Sequence, residues 1–322
     1  MENMSSPLTF VDMQATRVVF SGERIFKMFL VLTTLVVFIY VNILMLFTLR
    51  TKAIFYESPR YILFTHMLLN DTIHLVVALV LYILNSFLLM VVRAVCAFIV
   101  LLSTSTFVNG PLNLTVMSVE RYIAICFPLR HSELATPARV NAAVALVWVL
   151  GITDVLTDVC ALFLLTEPSF FLSPSACSIM QLMVAPWQQS RSVVFKVVLF
   201  VTVAIVLLFT YVAILRQARA ASSDTSAHKA LRTVVLHVLQ LCLSIMSFLF
   251  EYIVYLLGSL PLPLYTELRF LTFFMVLIIP RCLSSLIYGL RDETFRPLRL
   301  LKQNFLYCGR NTVKPFQAFT KH

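Results

Sequence analysis

The sequence predicts an all-α membrane protein, a bundle of seven transmembrane helices, and three observations carry that prediction. Composition is the first. Of 322 residues, 60% are hydrophobic and only 12% are charged, with a mean hydropathy of +0.92. A soluble domain of this length cannot hide that much apolar surface in one core, so its natural solvent is a bilayer. Second, the apolar residues gather into seven runs of about the 20 residues that a membrane helix needs. Third, Lys and Arg lie between those runs with a side-to-side bias. The same placement argues against a nucleic-acid partner, because the net charge of +10 is not spread over a polar basic surface. The alternating ten-residue strands of an outer-membrane barrel are absent. With six Gly and thirteen Pro, collagen-like and linker-rich readings fail too.

The spans are expected at 27–49, 61–90, 96–125, 139–164, 193–215, 233–257 and 267–290, the last interrupted by Arg281. Arg50, Lys52 and Arg60 flank the first connection, Arg130 and Arg139 lie in the third, and Arg216, Arg219, Lys229 and Arg232 in the fifth. The tail adds Arg296, Arg299, Lys302, Arg310, Lys314 and Lys321. The opposite side has Arg17, Arg24, Lys27, Arg93, Arg191, Lys196 and Arg269. That asymmetry predicts a multi-pass plasma-membrane protein with its N-terminus outside and its C-terminus in the cytoplasm. The expected divisions are 1–26 as extracellular N-terminus, 27–290 as membrane domain and 291–322 as cytoplasmic tail. The polar N-terminus lacks the pattern of a cleavable signal, so the first span would insert itself. Asn3-Met4-Ser5 is a glycosylation sequon on the outer side, whereas those at Asn70 and Asn113 fall inside spans.

Seven cysteines show no CxxC spacing, so neither zinc nor any other metal or cofactor is expected. No HExxH, GxSxG or P-loop occurs, and an enzyme is not expected. Cys96 opens the third span on the outside and Cys177 lies in the long outer loop at 165–192. Both face an oxidising compartment, where a disulfide between them would staple the loop over the bundle. Cys160 is a rival partner within the fourth span, and each cysteine could instead be a free, small apolar residue.

"MSVERYIAICFPLRH" (117–131) sets Glu120 and Arg121 at the end of an apolar run, where charge is expensive and rarely without a role. Glu120-Arg121-Tyr122 resembles the acidic-Arg-Tyr motif of rhodopsin-like G-protein-coupled receptors. The longer stretch, with Pro128, is similar to the "MAYDRYVAICxPL" signature of the odorant receptors in that family. Other matches fall in order: Asn42 in the first span, Leu68-Leu69-Asn70-Asp71 in the second, Cys96 and Trp148 in the third and fourth. "HKALRTVVLH" (228–237) resembles the start of the sixth. "LIYGLRDETF" (286–295) resembles the close of the seventh, with Tyr288 and then a short cytoplasmic amphipathic helix containing Phe295. "ESPRYILFTHMLLNDT" (57–72) is most like fish odorant receptors.

The resemblance implies that Arg121 pairs with Glu120 at rest and is released to a heterotrimeric G protein when the helices separate, a bistable element biased from the far side. It implies a small-molecule odorant, membrane lipid, arrestin and a receptor kinase as further partners, with a Gs or olfactory-type G protein raising cAMP. Two departures stand out. Ser284-Ser285 replaces the family's Asn-Pro before Tyr288, removing a helix-kinking proline. Arg281 must be paired if buried, and the resemblance places it within reach of Asp71. That acid binds sodium in many relatives, and Arg281 could replace the ion. The alternative has Arg281 snorkelling toward the headgroups.

A ligand site is expected between helices in the outer half of the bundle. Ser103, Thr104 and Phe107 share a face of the third span. Ser103 stands where aminergic relatives carry an acid, which disfavours a simple biogenic amine. Asp154 and Asp158 share a face of the fourth span, Lys196 lies in the fifth and Glu251 in the sixth; Lys196 and Glu251 could pair instead of touching ligand. Phe248, Tyr252, Phe270 and Phe274 could supply aromatic walls, or could face lipid and core. The competing functions are a non-olfactory receptor of the same family for a lipid, nucleotide or peptide, and a transporter or channel, whose broken helices in matched halves are absent.

Overall fold

The computed structural model describes residues 22–50, 57–220 and 256–283, with isolated positions 235, 239, 242, 250, 253 and 254. Apart from those positions and residues 256–257, the sixth expected span lies outside the described residues, as do residues 1–21 and 51–56 and the chain beyond 283 with the amphipathic helix.

Five described helices are long and apolar enough to cross a membrane: α1 (Gly22–Arg50), α2 (Pro59–Ser86), α3 (Arg93–Cys126), α4 (Pro137–Leu165) and α5 (Pro186–Ala220). A further helix, Leu262–Thr272, runs through a π-helical stretch at Phe273–Ile278 and stays helical to Leu283. Helices are the required solution, because hydrocarbon leaves backbone amides no partner outside their own segment. Several ends are set by local chemistry. Pro59, Pro137 and the proline after Pro261 stand in first turns, where a missing N–H costs nothing. Thr136 Oγ1 accepts from the Arg139 N–H at 3.4 Å and caps α4.

The first described helix is seen from Gly22, so Arg24 and Lys27 both lie on α1. One expected boundary needs correction. The second span stops at Ser86, four residues short of expectation, because the chain reverses through Leu88 with a left-handed φ of 51°. It then enters β1 (Met90–Val92), which pairs antiparallel with β2 (Pro174–Ala176), Val91 opposite Ser175. This small ribbon is a departure from an all-helical chain.

α3 is the central element, packed on α2, α4 and α5. Half of its apolar window is buried, against less than a quarter for α1. Apolar clusters fill the bundle in layers. Met45, Leu49, Leu63, Met67, Met117 and Val144 join α1 to α4 at one end, and Cys96, Val100, Val155 and Leu162 close the other. Leu114, Leu207 and Tyr211 join α3 to α5. Outward-facing side chains such as Phe29, Tyr40, Phe47, Phe98, Leu146 and Phe209 are more than half exposed. In water they would be an aggregation surface; in a bilayer they are the solvated face.

Candidate functional site

Polar residues, sparse in this chain, are concentrated along α3 at three levels. At mid-depth, Asn70 Nδ2 donates to the Thr106 carbonyl at 3.0 Å. The Thr106 hydroxyl donates to the Leu102 carbonyl at 2.7 Å, so the His74 Nδ1–H, 3.0 Å from Thr106 Oγ1, is the donor in that contact. Asn109, its amide turned to donate, reaches the carbonyls of Val147 (2.9 Å) and Ser105 (3.2 Å). Arg281 enters this layer from the last described helix. Its Nη2 donates to the Phe107 carbonyl at 2.9 Å, its Nη1 lies 3.7 Å from Asp71 Oδ1, and its guanidinium sits 5.6 Å from the Phe107 ring centroid. Arg281 is 6% exposed and Asp71 1%. Arg281 therefore points inward, not to the headgroups.

Two glycines make that layer fit. A Cβ on Gly110 would fall on the Arg281 guanidinium, 2.7 Å from Cζ, and a Cβ on Gly151 would fall on the Asn109 amide. Both stand inside helices, where glycine costs about 1 kcal/mol relative to alanine. Here the missing side chain is the space that the polar group occupies.

At the end of α3 that carries the charged motif, Glu120 is 7% exposed. Arg121 Nε lies 3.4 Å from its Oε2. The other oxygen, Oε1, lies 3.4 Å from Nε2 of His131, which opens the short helix His131–Leu134. Tyr122 packs edge-on against Phe127 and Phe209, with centroids at 5.7 and 5.6 Å. Pro128 starts a 3₁₀ turn, Pro128–Arg130, that presents Leu129 with 94% of its surface exposed. Tyr288 lies outside the described residues.

The opposite end is lidded. Cys96 and Cys177 form a disulfide across a separation of 81 residues, tying the loop to α3. Arg93 holds the same loop, lying 3.9 Å from the Phe170 ring centroid and donating to the Phe170 carbonyl at 3.3 Å and to Ser173 Oγ. Cys160 is free and exposed.

The expected ligand residues divide sharply. Ser103, Thr104 and Phe107 are partly buried on α3 between the disulfide and Arg281. The Ser103 carbonyl accepts from the Thr106 hydroxyl at 3.1 Å. Asp158 is engaged otherwise: with Asp154 it binds Arg191, through Nη2 at 2.6 Å and Nη1 at 2.8 Å respectively. Gln188 Nε2 adds 3.0 Å to Asp158, and Ser192 Oγ adds 2.9 Å to Asp154. This α4–α5 clamp was missed because Arg191 reads as a loop residue, whereas α5 starts at Pro186, seven residues ahead of the expected 193. Gln188 Oε1 accepts the Val184 and Ala185 N–H groups, both at 2.7 Å, and so supports that early start.

Phe274 is 8% exposed and packs among Val31, Leu35, Leu75 and Ile278, on the core side of the two alternatives open to it. Phe270 stacks on it with centroids at 6.2 Å, and Lys27 lies 5.4 Å from the Phe270 ring centroid while pairing with Glu23 and Glu267. Lys196 is partly buried on α5. Phe248, Glu251, Tyr252 and Asn3 lie outside the described residues.

The 7 transmembrane receptor (rhodopsin family) model matches residues 41–288. The zebrafish (Danio rerio) protein "Odorant receptor 131-2" is 32% identical over 285 residues, 85% of this chain and 83% of that one. The chain belongs to the odorant receptors of the rhodopsin family. A human relative, "Olfactory receptor 10P1", is 31% identical over 189 residues, 57% of this chain and 59% of its own. A rabbit (Oryctolagus cuniculus) "Growth hormone secretagogue receptor type 1" matches 48% over 40 residues, only 12% of the chain. Membership makes the protein a seven-transmembrane, multi-pass plasma-membrane receptor and not an enzyme. In this receptor the long helices α1 to α5 are the first five spans, and the helix from Leu262 belongs to the seventh.

Proposed function

We propose that this odorant receptor binds a small molecule from the disulfide side and activates a heterotrimeric G protein of the Gs or olfactory type at the Glu120 side. The observation that carries the reading is the Glu120–Arg121 pair at the end of α3, 3.4 Å apart. It is a buried carboxylate restraining a cation that is only partly covered. Separation of the helices would free Arg121 for a partner, in the manner of a two-state switch. The neighbouring connection supports it, because Leu129 and Arg130 offer an apolar knob beside a charge, the composition of a docking contact. The disulfide supports an extracellular lid end, since such bonds persist outside the cytosol. With the Lys and Arg bias this gives a divided chain: 1–26 outside, 27–290 in the membrane apart from its loops, and 291–322 inside.

Ligand contact is assigned to the stretch of α3 under the lid, Ser103, Thr104 and Phe107, with Lys196 on α5 and Phe248, Glu251 and Tyr252 on the sixth span. The test is cAMP production in cells over a panel of water-soluble and volatile compounds. A compound that raises cAMP through the wild type and not through Arg121→Ala, at equal surface level, supports the reading. Equal responses from the two receptors refute it.

A further inference from the structure

We infer that the connection between α2 and α3 is seated in the outer leaflet of the bilayer, so that an apolar face of the β-ribbon holds the lid at the lipid surface. The inference takes from the reading above only which end of the bundle is outer. In an antiparallel ribbon, residues directly opposite each other point to one side, and successive residues alternate. The register sets Met90 beside Ala176 and Val92 beside Pro174. All four are exposed, whereas Ser175 on the other face is buried and Val91 half-buried. An antiparallel ribbon with one face on the protein ordinarily turns polar side chains to water. This one turns out apolar side chains alone.

The apolar exposure continues in both directions along the chain. Leu69, Val76 and Val80 mark the exposed side of α2, and at about 3.6 residues per turn Phe87 takes the next place on that line. Beyond the ribbon, Val95 and Phe98 are exposed on α3. Those helix faces are the lipid-facing surface of the bundle. Phe87, Leu88, Leu89 and Met90 therefore extend an existing lipid contact rather than start a separate patch. Arg93 is the one Lys, Arg, Asp or Glu between Asp71 and Glu120. It is turned to the Phe170 ring and carbonyl and to Ser173, so no free charge resists the seating.

Leu88 gives an independent sign. It reverses the chain with a left-handed φ of 51°, a conformation that glycine or asparagine adopts more easily. A leucine at that place keeps hydrocarbon at the tip of the reversal, where it is 63% exposed. Depth agrees as well. The 28 residues of α2 span about 42 Å at about 1.5 Å per residue, and a bilayer with its headgroups is about 40–45 Å thick. With Arg60 at the inner headgroups, the ribbon at the far end of α2 lies level with the outer ones. Tilt of the helix brings it lower still.

The experiment places a fluorophore on the outward face of the ribbon by Met90→Trp or Val92→Trp. The full receptor is held in phosphatidylcholine nanodiscs, and the emission of the wild type, from Trp148 and Trp187, is subtracted. The added emission should lie to the blue of tryptophan in water. It should be lost when the lipids carry bromine near the headgroup end of their chains, and should survive iodide in the buffer. Emission at the wavelength of tryptophan in water, quenched by iodide and not by bromolipid, overturns the inference. Emission shielded from both quenchers overturns it too, because a protein surface, a second copy included, then covers the face. If one variant does not reach the membrane, the other carries the test. Bromine lines both leaflets of the disc, so the result stands apart from which end is outer and from coupling to a G protein.

Discussion

Replacing Gly110 by alanine tests the most unusual packing in the bundle. The added Cβ would fall on the Arg281 guanidinium, which is wedged between α3 and Asp71. At 3.7 Å, two unit charges attract by about 4.5 kcal/mol with an effective dielectric constant of about 20. Desolvation offsets much of that, so the pair adds little over an apolar replacement. Stranding one buried partner is another matter, at about 3–5 kcal/mol. Gly110→Ala must push Arg281 away from Asp71, so its cost should approach that of Arg281→Met or Asp71→Asn. Because Arg281→Met removes the guanidinium that the new methyl would meet, Gly110→Ala added to Arg281→Met should cost less than about 1 kcal/mol more. Asp71→Asn with Arg281→Met should likewise recover part of each single loss, since removing both charges can be nearly neutral. The assay is surface delivery by flow cytometry beside melting temperature in detergent. A harmless Gly110→Ala would refute the reasoning, as would losses that simply add in Gly110→Ala/Arg281→Met. A tethered cation also predicts that melting responds no more to sodium chloride than to choline chloride.

The remaining expectations are simpler to state. Cys96→Ser and Cys177→Ser should impair surface delivery equally, and the double variant should be no worse; additive losses would count against a shared bridge. Glu120→Gln should raise agonist-independent cAMP by removing the partner of Arg121, and an unchanged basal level at equal expression would contradict the switch. Arg191→Gln strands two buried carboxylates and should cost several kcal/mol, about the 3–5 of a broken buried pair. Asp158→Asn should cost less, because Asp154 still holds Arg191, and the reverse order by thermal melting would sink that account.

What the sequence made legible follows from which forces are local. Apolar length and flanking charge act along the chain, so α1, α3 and α4 begin and end within a few residues of expectation. Glu120 and Arg121 are chain neighbours, and their pairing needs no tertiary knowledge. Arg191 shows the limit. Counted with the loop for its charge, it lies in the second turn of α5, and the clue to that was Pro186 followed two residues later by Gln188, a proline start with a side chain able to serve free N–H groups. The aromatic faces were illegible for a different reason. Phe270 and Phe274 lie one turn apart, and periodicity says that they share a side but not which helix that side meets; the packing of α1 decides it. Gly110 and Gly151 were readable in part. In a chain with six glycines, two inside transmembrane spans signal a close approach, but the approaching groups come from 171 residues away in one case (Arg281 from Gly110) and 42 in the other (Asn109 from Gly151). Nothing local names them. The polar layer of this receptor is thus specified by absences on one helix and charges on another, and only the fold brings the two halves of that specification together.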